Sequence, residues 1–171
     1  AMYVSSDLPD DRLQSLVHTR SPDERDAVLS AYVGERGNRR HKPGRAFERT
    51  GYRFDVLCDY GAFRDLQRHR LLTLEWQRLS PEHGFDTPEV IADAGMTDAW
   101  HAVMEDSAST WATLSDQAGP DVAQYAVAMA YRIRFVMQMS AREAMHLIEL
   151  RSSPQGHPTY RRVAQEMHDL I

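Results

Sequence analysis

The stretch from Tyr131 to Met139 constrains this chain more than any other. Tyr131, Ile133, Phe135, Met137 and Met139 alternate with Arg132, Arg134, Val136 and Gln138, the period-two pattern of a strand with one face buried. Directly after it, Ser140-Ala141-Arg142-Glu143 has the Ser-x-x-Glu spacing of a capping box. In such a box the serine accepts from the backbone three residues on, and the glutamate reaches back to the serine amide. A strand therefore passes straight into a helix, and that helix is predicted to bury Ala144, Leu147, Ile148 and Leu150. Tyr52, Phe54 and Val56 alternate with Arg53, Asp55 and Leu57 and predict another strand.

Helices account for most of the rest. Ser21-Pro22-Asp23-Glu24 is a second capping box with proline at the first helical position, so a helix is predicted through Leu29 and Val33, ended by Gly34 and Gly37. Residues 37–46 hold Gly, Pro, Asn and the cationic or imidazole side chains Arg39, Arg40, His41, Lys42 and Arg45, with no apolar period, and read as a loop rich in anion ligands. Phe63 and Leu66 suit a helix over 60–69, with a short strand or a continuation of that helix over 71–76. Thr87-Pro88-Glu89 opens a short helix. Trp100, Val103, Met104, Ser107, Trp111 and Leu114 recur at helical spacing and mark the clearest amphipathic helix, its tryptophans read as core residues. Further helices follow Gly119-Pro120, carrying Val122, Tyr125 and Ala126, and Pro158. The sum is an α+β chain of 171 residues, read as one domain with a small antiparallel sheet packed against several helices.

Composition excludes several classes. No apolar run approaches the roughly 18 residues that cross a bilayer, and the first eleven residues lack the basic and apolar regions of a secretion signal. The single cysteine, Cys58, excludes an internal disulfide framework and fits a reducing cytoplasm. A net charge of −5 argues against nucleic-acid binding. Positive charge is nevertheless concentrated: seven cations lie between Arg36 and Arg53, and only Lys42 among them is a lysine. Arginine presents a planar fork that meets phosphate or carboxylate through two parallel hydrogen bonds.

Arg68-His69-Arg70 places two guanidinium groups and an imidazole at a predicted helix–strand junction, where they can converge on a phosphate or on charge developing in a ring system. Upstream lie His41-Lys42, then Phe47-Glu48-Arg49, then the aromatic strand. Downstream, Met139-Ser140-Ala141-Arg142 is followed by His146, Leu150 and Arg151. In this order and spacing, from about His41 to the last helix, the chain resembles the flavin-dependent thymidylate synthase family, with its Arg-His-Arg signature and a later Asn-Ala-Arg helix closing on Leu-Arg. The resemblance implies the α+β fold of the thymidylate synthase complementing proteins. It also implies a cytoplasmic homo-oligomer in which NADPH reduces FAD and a methylene group passes from methylenetetrahydrofolate to dUMP to give dTMP. By the same correspondence Arg68, His69, Arg70, Arg142 and His146 would contact FAD, with His41 nearby. Arg151 would lie against the pyrimidine as the catalytic group, and Arg78 and Ser80 would occupy the substrate motif.

This chain also departs from the family pattern. Trp76, Arg78, Ser80 and Pro81 stand where a glutamate, a serine and an Arg-Tyr pair are expected. Asp65 replaces a glutamine, Glu48-Arg49 a Glu-His pair, Gln124 an arginine and Ser140 an asparagine. Most departures fall on the dUMP side. Ala1 reads as a cloning remnant, and the chain as the diverged C-terminal half of a duplicated, longer member. Two other readings stay open at this point: a catalytically inactive assembly domain supporting an upstream, family-like half, and a metal site built on Glu143, His146 and Glu149. The second lacks the further ligands of a di-iron bundle, and no metal is assigned.

Overall fold

The alternating segment after Tyr131 is the middle strand of the sheet. The computed structural model describes residues 1–171. In chain order the elements are α1 (Asp10–Thr19), α2 (Pro22–Val33), β1 (Gly51–Asp59), α3 (Tyr60–Leu66), β2 (Leu72–Trp76), α4 (Glu89–Asp93), α5 (Thr97–Ala118), α6 (Pro120–Ala123), β3 (Arg132–Ser140), α7 (Ala141–Arg151) and α8 (Pro158–Asp169). Short 3-10 turns cover Met2–Ser5, Arg45–Arg49, Pro81–His83 and Gln124–Ala126. The α+β reading is correct.

The sheet order is β1-β3-β2, with both outer strands antiparallel to β3. Its register stacks the apolar residues of one face in rows: Tyr52, Met139 and Leu72; Phe54, Met137 and Leu74; Val56, Phe135 and Trp76. That face is covered by α3, α7 and α8, and the core joins Phe54, Val56, Phe63, Leu66, Phe135, Met137, Leu147, Val163 and Met167. Phe63 meets Phe135 edge to face at 4.7 Å between ring centroids. Each large apolar side chain fully withdrawn from water contributes roughly 1.5–3 kcal/mol, so this cluster is what holds the sheet and its three helices together.

Two strands feed helices without a loop. At the end of β1 the Asp59 carboxylate accepts from the Ala62 amide at 2.7 Å and caps α3. At the end of β3 Ser140 caps α7, accepting from the Glu143 amide at 3.3 Å. The Ala141 amide donates to the Thr50 carbonyl at 2.7 Å, fixing the start of α7 beside β1. Because Leu72 is opposite Met139, the preceding residues, Arg68 to Leu71, lie beside the first turn of α7.

Several boundaries differ from expectation. The helix predicted over 60–69 stops at Leu66; of the two readings of 71–76, strand or continued helix, the strand forms over 72–76, because pairing with β3 outweighs helical continuation. The predicted loop 37–46 gives way to a 3-10 turn at Arg45. The tryptophans of α5 are not core. Only Met104 of that helix is buried, Val103 is 61% exposed, and Trp100 and Trp111 rim a small cluster of Met104, Val127 and Tyr131. The physical reason is that α5 packs on α4, α6 and the turn after it, and not on the sheet. The following segment is a single turn of α6 and a 3-10 turn, with Tyr125 exposed.

Candidate functional site

A cleft of about 370 Å³ opens where the end of β3, the start of β2 and α7 meet the loop after α2. Seven cationic side chains and three glutamates line it, an excess of positive charge in a chain whose net charge is −5. Such a cleft concentrates anions.

The cations divide into those that build the cleft and those left free. Arg36 pairs with Glu149 of α7 through both nitrogens, at 2.7 and 2.9 Å. Arg142 donates from Nε to the Pro43 carbonyl and from Nη1 to Glu48, both at 3.0 Å. These two arginines tie the loop to α7. Tyr32 of α2 holds the same loop from behind: its hydroxyl accepts from the Ala46 amide at 3.0 Å, and its ring lies so close to Gly44 that a Cβ there has no room. By contrast Arg39, Lys42 and Arg70 line the cleft and make no ion pair. Arg68 also lines it, its guanidinium 3.6 Å from Asp65.

The three residues of Arg68-His69-Arg70 do not point alike. His69 turns inward and is 9% exposed, while its neighbours remain exposed. Its Nδ1 lies 3.1 Å from Oε1 of Glu143, itself 6% exposed. Its Nε2 accepts from Nε of Arg151 at 3.1 Å. An arginine Nε can only donate, so His69 must be bare at Nε2 and carry its proton at Nδ1, facing the glutamate. Burial, with the Arg151 charge beside it, holds the His69 pKa below its ordinary value despite Glu143, in keeping with a neutral ring. Arg151 also donates from Nη2 to the Asp65 carbonyl at 2.7 Å and lies over the Tyr160 ring at 5.2 Å. His146 lines the cleft with its ring 5.7 Å from that of His69.

Of the residues singled out from the sequence, Arg68, His69, Arg70, Arg142, His146 and Arg151 come together here. His41 does not line the cleft. Its Nδ1 accepts from the Gly37 amide at 3.1 Å and its carbonyl from Arg36, so it shapes the loop. Arg78 and Ser80 lie elsewhere, after β2, with Arg78 paired to Asp121 at 3.0 Å. Cys58 is buried in the core, its thiol pushed up to about 12 chiefly by burial, and lies outside the cleft.

Sequence reasoning missed Arg36 and Arg39 as cleft residues, although they belong to the cation cluster it noted. It read Glu143 as a cap or a metal ligand and not as the partner of His69. The metal set built on Glu143, His146 and Glu149 is not the one brought together: Glu149 is taken by Arg36, and His69 instead stands with Glu143 and His146, with ligand atoms within 4.8 Å of one another. A cation there would need Nδ1 of His69 bare, which would move the proton to Nε2 and set it against the N–H of Arg151.

No helix is long and apolar enough to cross a membrane. A family model described as thymidylate synthase complementing protein matches residues 6–171. The chain is 44% identical over 137 residues to a UPF0159 protein of Chlamydia pneumoniae, covering 80% of this chain and 26% of that protein. It is 40% identical over 149 residues to a UPF0159 protein of Thermoplasma acidophilum, covering 86% of this chain and 30% of that one. The chain thus spans under a third of the length of the curated relatives it matches. With the Arg-His-Arg segment and the capped helix ending in Leu150-Arg151 meeting at one cationic cleft, and the family match running through both, the chain belongs to the thymidylate synthase complementing protein family.

Proposed function

We propose that the cleft takes the anionic part of FAD and that the protein acts in FAD-dependent methylation of dUMP to dTMP, with methylenetetrahydrofolate and NADPH. The observation that carries this reading is the set of unpaired cations, Arg39, Lys42 and Arg70, held on a framework of paired arginines at the junction of the two family motifs. FAD when bound supplies the ring that passes reducing equivalents from NADPH. Arg39, Lys42, Arg68 and Arg70 would meet its phosphates, while Arg142 and His146 would set the floor of the site. Arg151 would direct its remaining N–H groups at a pyrimidine carbonyl and polarise it for addition. The buried Cys58 thiol, with its raised pKa, takes no part as a nucleophile.

Titrating FAD into the purified protein and following the quenching of flavin fluorescence tests this. Arg70→Ala is expected to weaken binding about tenfold, and Arg78→Ala to leave it unchanged. Saturation that is equal for the wild type and Arg70→Ala, or no binding by either, overturns the reading.

One observation favours a second form of it. Arg78 pairs with Asp121 away from the cleft, so the side chain at the position of the family's serine does not reach it. In that form the domain supplies the flavin side of a site shared with a second copy or with an upstream half, or serves assembly alone. Retained assembly of the full-length protein with unchanged activity in Arg70→Ala and Arg151→Ala would favour the assembly role.

A further inference from the structure

Glu143 is a buried carboxylate that the flavin reading leaves without a task. The first turn of α7 places it, and it does not complete the capping box that its sequence suggests, since only Ser140 fulfils its half. Its Oε1 instead faces Nδ1 of His69, and Nε2 of His69 faces Nε of Arg151. The direction of every hydrogen bond in this line is dictated from one end. Arg151 can only donate, so His69 must accept at Nε2 and donate at Nδ1, and Glu143 is the acceptor that makes this arrangement the favoured one.

The consequence falls on the guanidinium plane of Arg151. Nε is held by His69, Nη2 by the Asp65 carbonyl, and the ring of Tyr160 lies against one face. Nη1 makes no hydrogen bond within the chain, and its nearest carboxylate oxygen, Asp65 Oδ1, is 3.7 Å away. A planar fork fixed at two of its three nitrogens presents its spare donors along set directions.

We propose that Glu143 is a positioning residue: through His69 it fixes the guanidinium of Arg151, so that its spare N–H groups face an electron-rich carbonyl edge in the cleft. The identity of that edge as the pyrimidine of dUMP rests on the reading proposed above; the positioning itself does not. Without Glu143 the imidazole can carry its proton on either nitrogen. The form protonated at Nε2 repels the Arg151 N–H and releases its plane.

Imidazole and guanidinium nitrogen NMR of the ligand-free protein, with dUMP and FAD calorimetry, tests this on Glu143→Met, which fills a similar volume without an acceptor. In the wild type, His69 is expected to be a single neutral form protonated at Nδ1, with a slowly exchanging Arg151 Nε–H. In Glu143→Met both signatures are expected to be lost. Its dissociation constant for dUMP should rise about tenfold, while that for FAD changes by less than about twofold. Unchanged NMR signatures and dUMP affinity overturn the proposal, as does equal weakening of both ligands, the mark of a packing defect. Should Glu143→Met fail to fold, Glu143→Leu, which likewise offers no carboxylate or amide oxygen to His69, is read by the same criteria. If the wild type binds neither ligand, the flavin reading fails, and the two NMR signatures, which need no ligand, still decide whether Glu143 sets Arg151.

Discussion

Two Ser-x-x-Glu segments begin helices in this protein, and they spend their glutamates differently. At the start of α2 the box is closed: the Glu24 amide donates to Ser21 Oγ at 3.3 Å, and the Ser21 amide donates to Glu24 Oε2 at 2.8 Å, all on an exposed surface. At the start of α7 the serine half forms at the same 3.3 Å, but the glutamate turns inward to His69. The difference lies in what precedes each serine. Ser21 follows α1 after the single half-buried residue Arg20, whereas Ser140 is the last residue of β3, paired in the ladder with Gly51. A helix start is set by the serine and local geometry, and the fate of the glutamate by what the rest of the fold brings near it.

The largest effect that would test this contrast is expected from Glu143→Ala. It strands a buried His69 N–H without an acceptor, and a buried unsatisfied donor costs roughly 1–3 kcal/mol. A matching loss should be read from the urea unfolding midpoint. Ser140→Ala and Ser21→Ala come next and are expected to cost about 1 kcal/mol each, because the serine half of the box is the same at both sites. A much larger loss at Ser140 would mean that its cap and the buried pair are coupled.

The pH dependence of stability should separate the two boxes further. The His69 pKa is held below 6.5 in the fold. As pH falls through 6.5 the unfolded chain takes up the proton first, so the His69 contribution is complete above that value and declines below it. The Glu24 pKa is lowered from 4.5, chiefly by the Ser21 backbone amide, so its contribution is present above 4.5 and is lost as pH falls further. Thermal unfolding at stepped pH should show the upper window vanish in His69→Asn and persist in Glu24→Gln. The smallest effect is expected from Glu24→Ala at neutral pH, a change no larger than ordinary exposed substitutions give, measured in the same melts.

Much of the fold was legible because its signals are local. The alternation at 52–57 and 131–139 marks β1 and β3, and the serines at 21 and 140 mark helix starts within one residue. The α5 stripe misled for the opposite reason. Its apolar spacing is real, but which elements pack on it is a tertiary matter, and only Met104 found full cover. The candidate site was half legible. Arg68-His69-Arg70 and Arg142 to Arg151 carry recognisable spacing, yet the inward turn of His69 and the outward turn of its neighbours follow from the junction with β2. Which arginines stay free was not readable at all, since Arg36 and Arg142 are consumed by Glu149 and Glu48, partners about a hundred residues away along the chain.

By itself the sequence determined the element types except over 72–76, the two serine caps, the cationic character of the loop and the family, all carried by residues close together along the chain. Only the tertiary structure decided which charges are paired, where the Glu143 carboxylate goes, and that Arg78 and Ser80 lie outside the cleft. The physical reason is reach. Caps and periodicity act over three or four residues, whereas an ion pair or a buried hydrogen bond forms wherever folding of the core brings its two partners together.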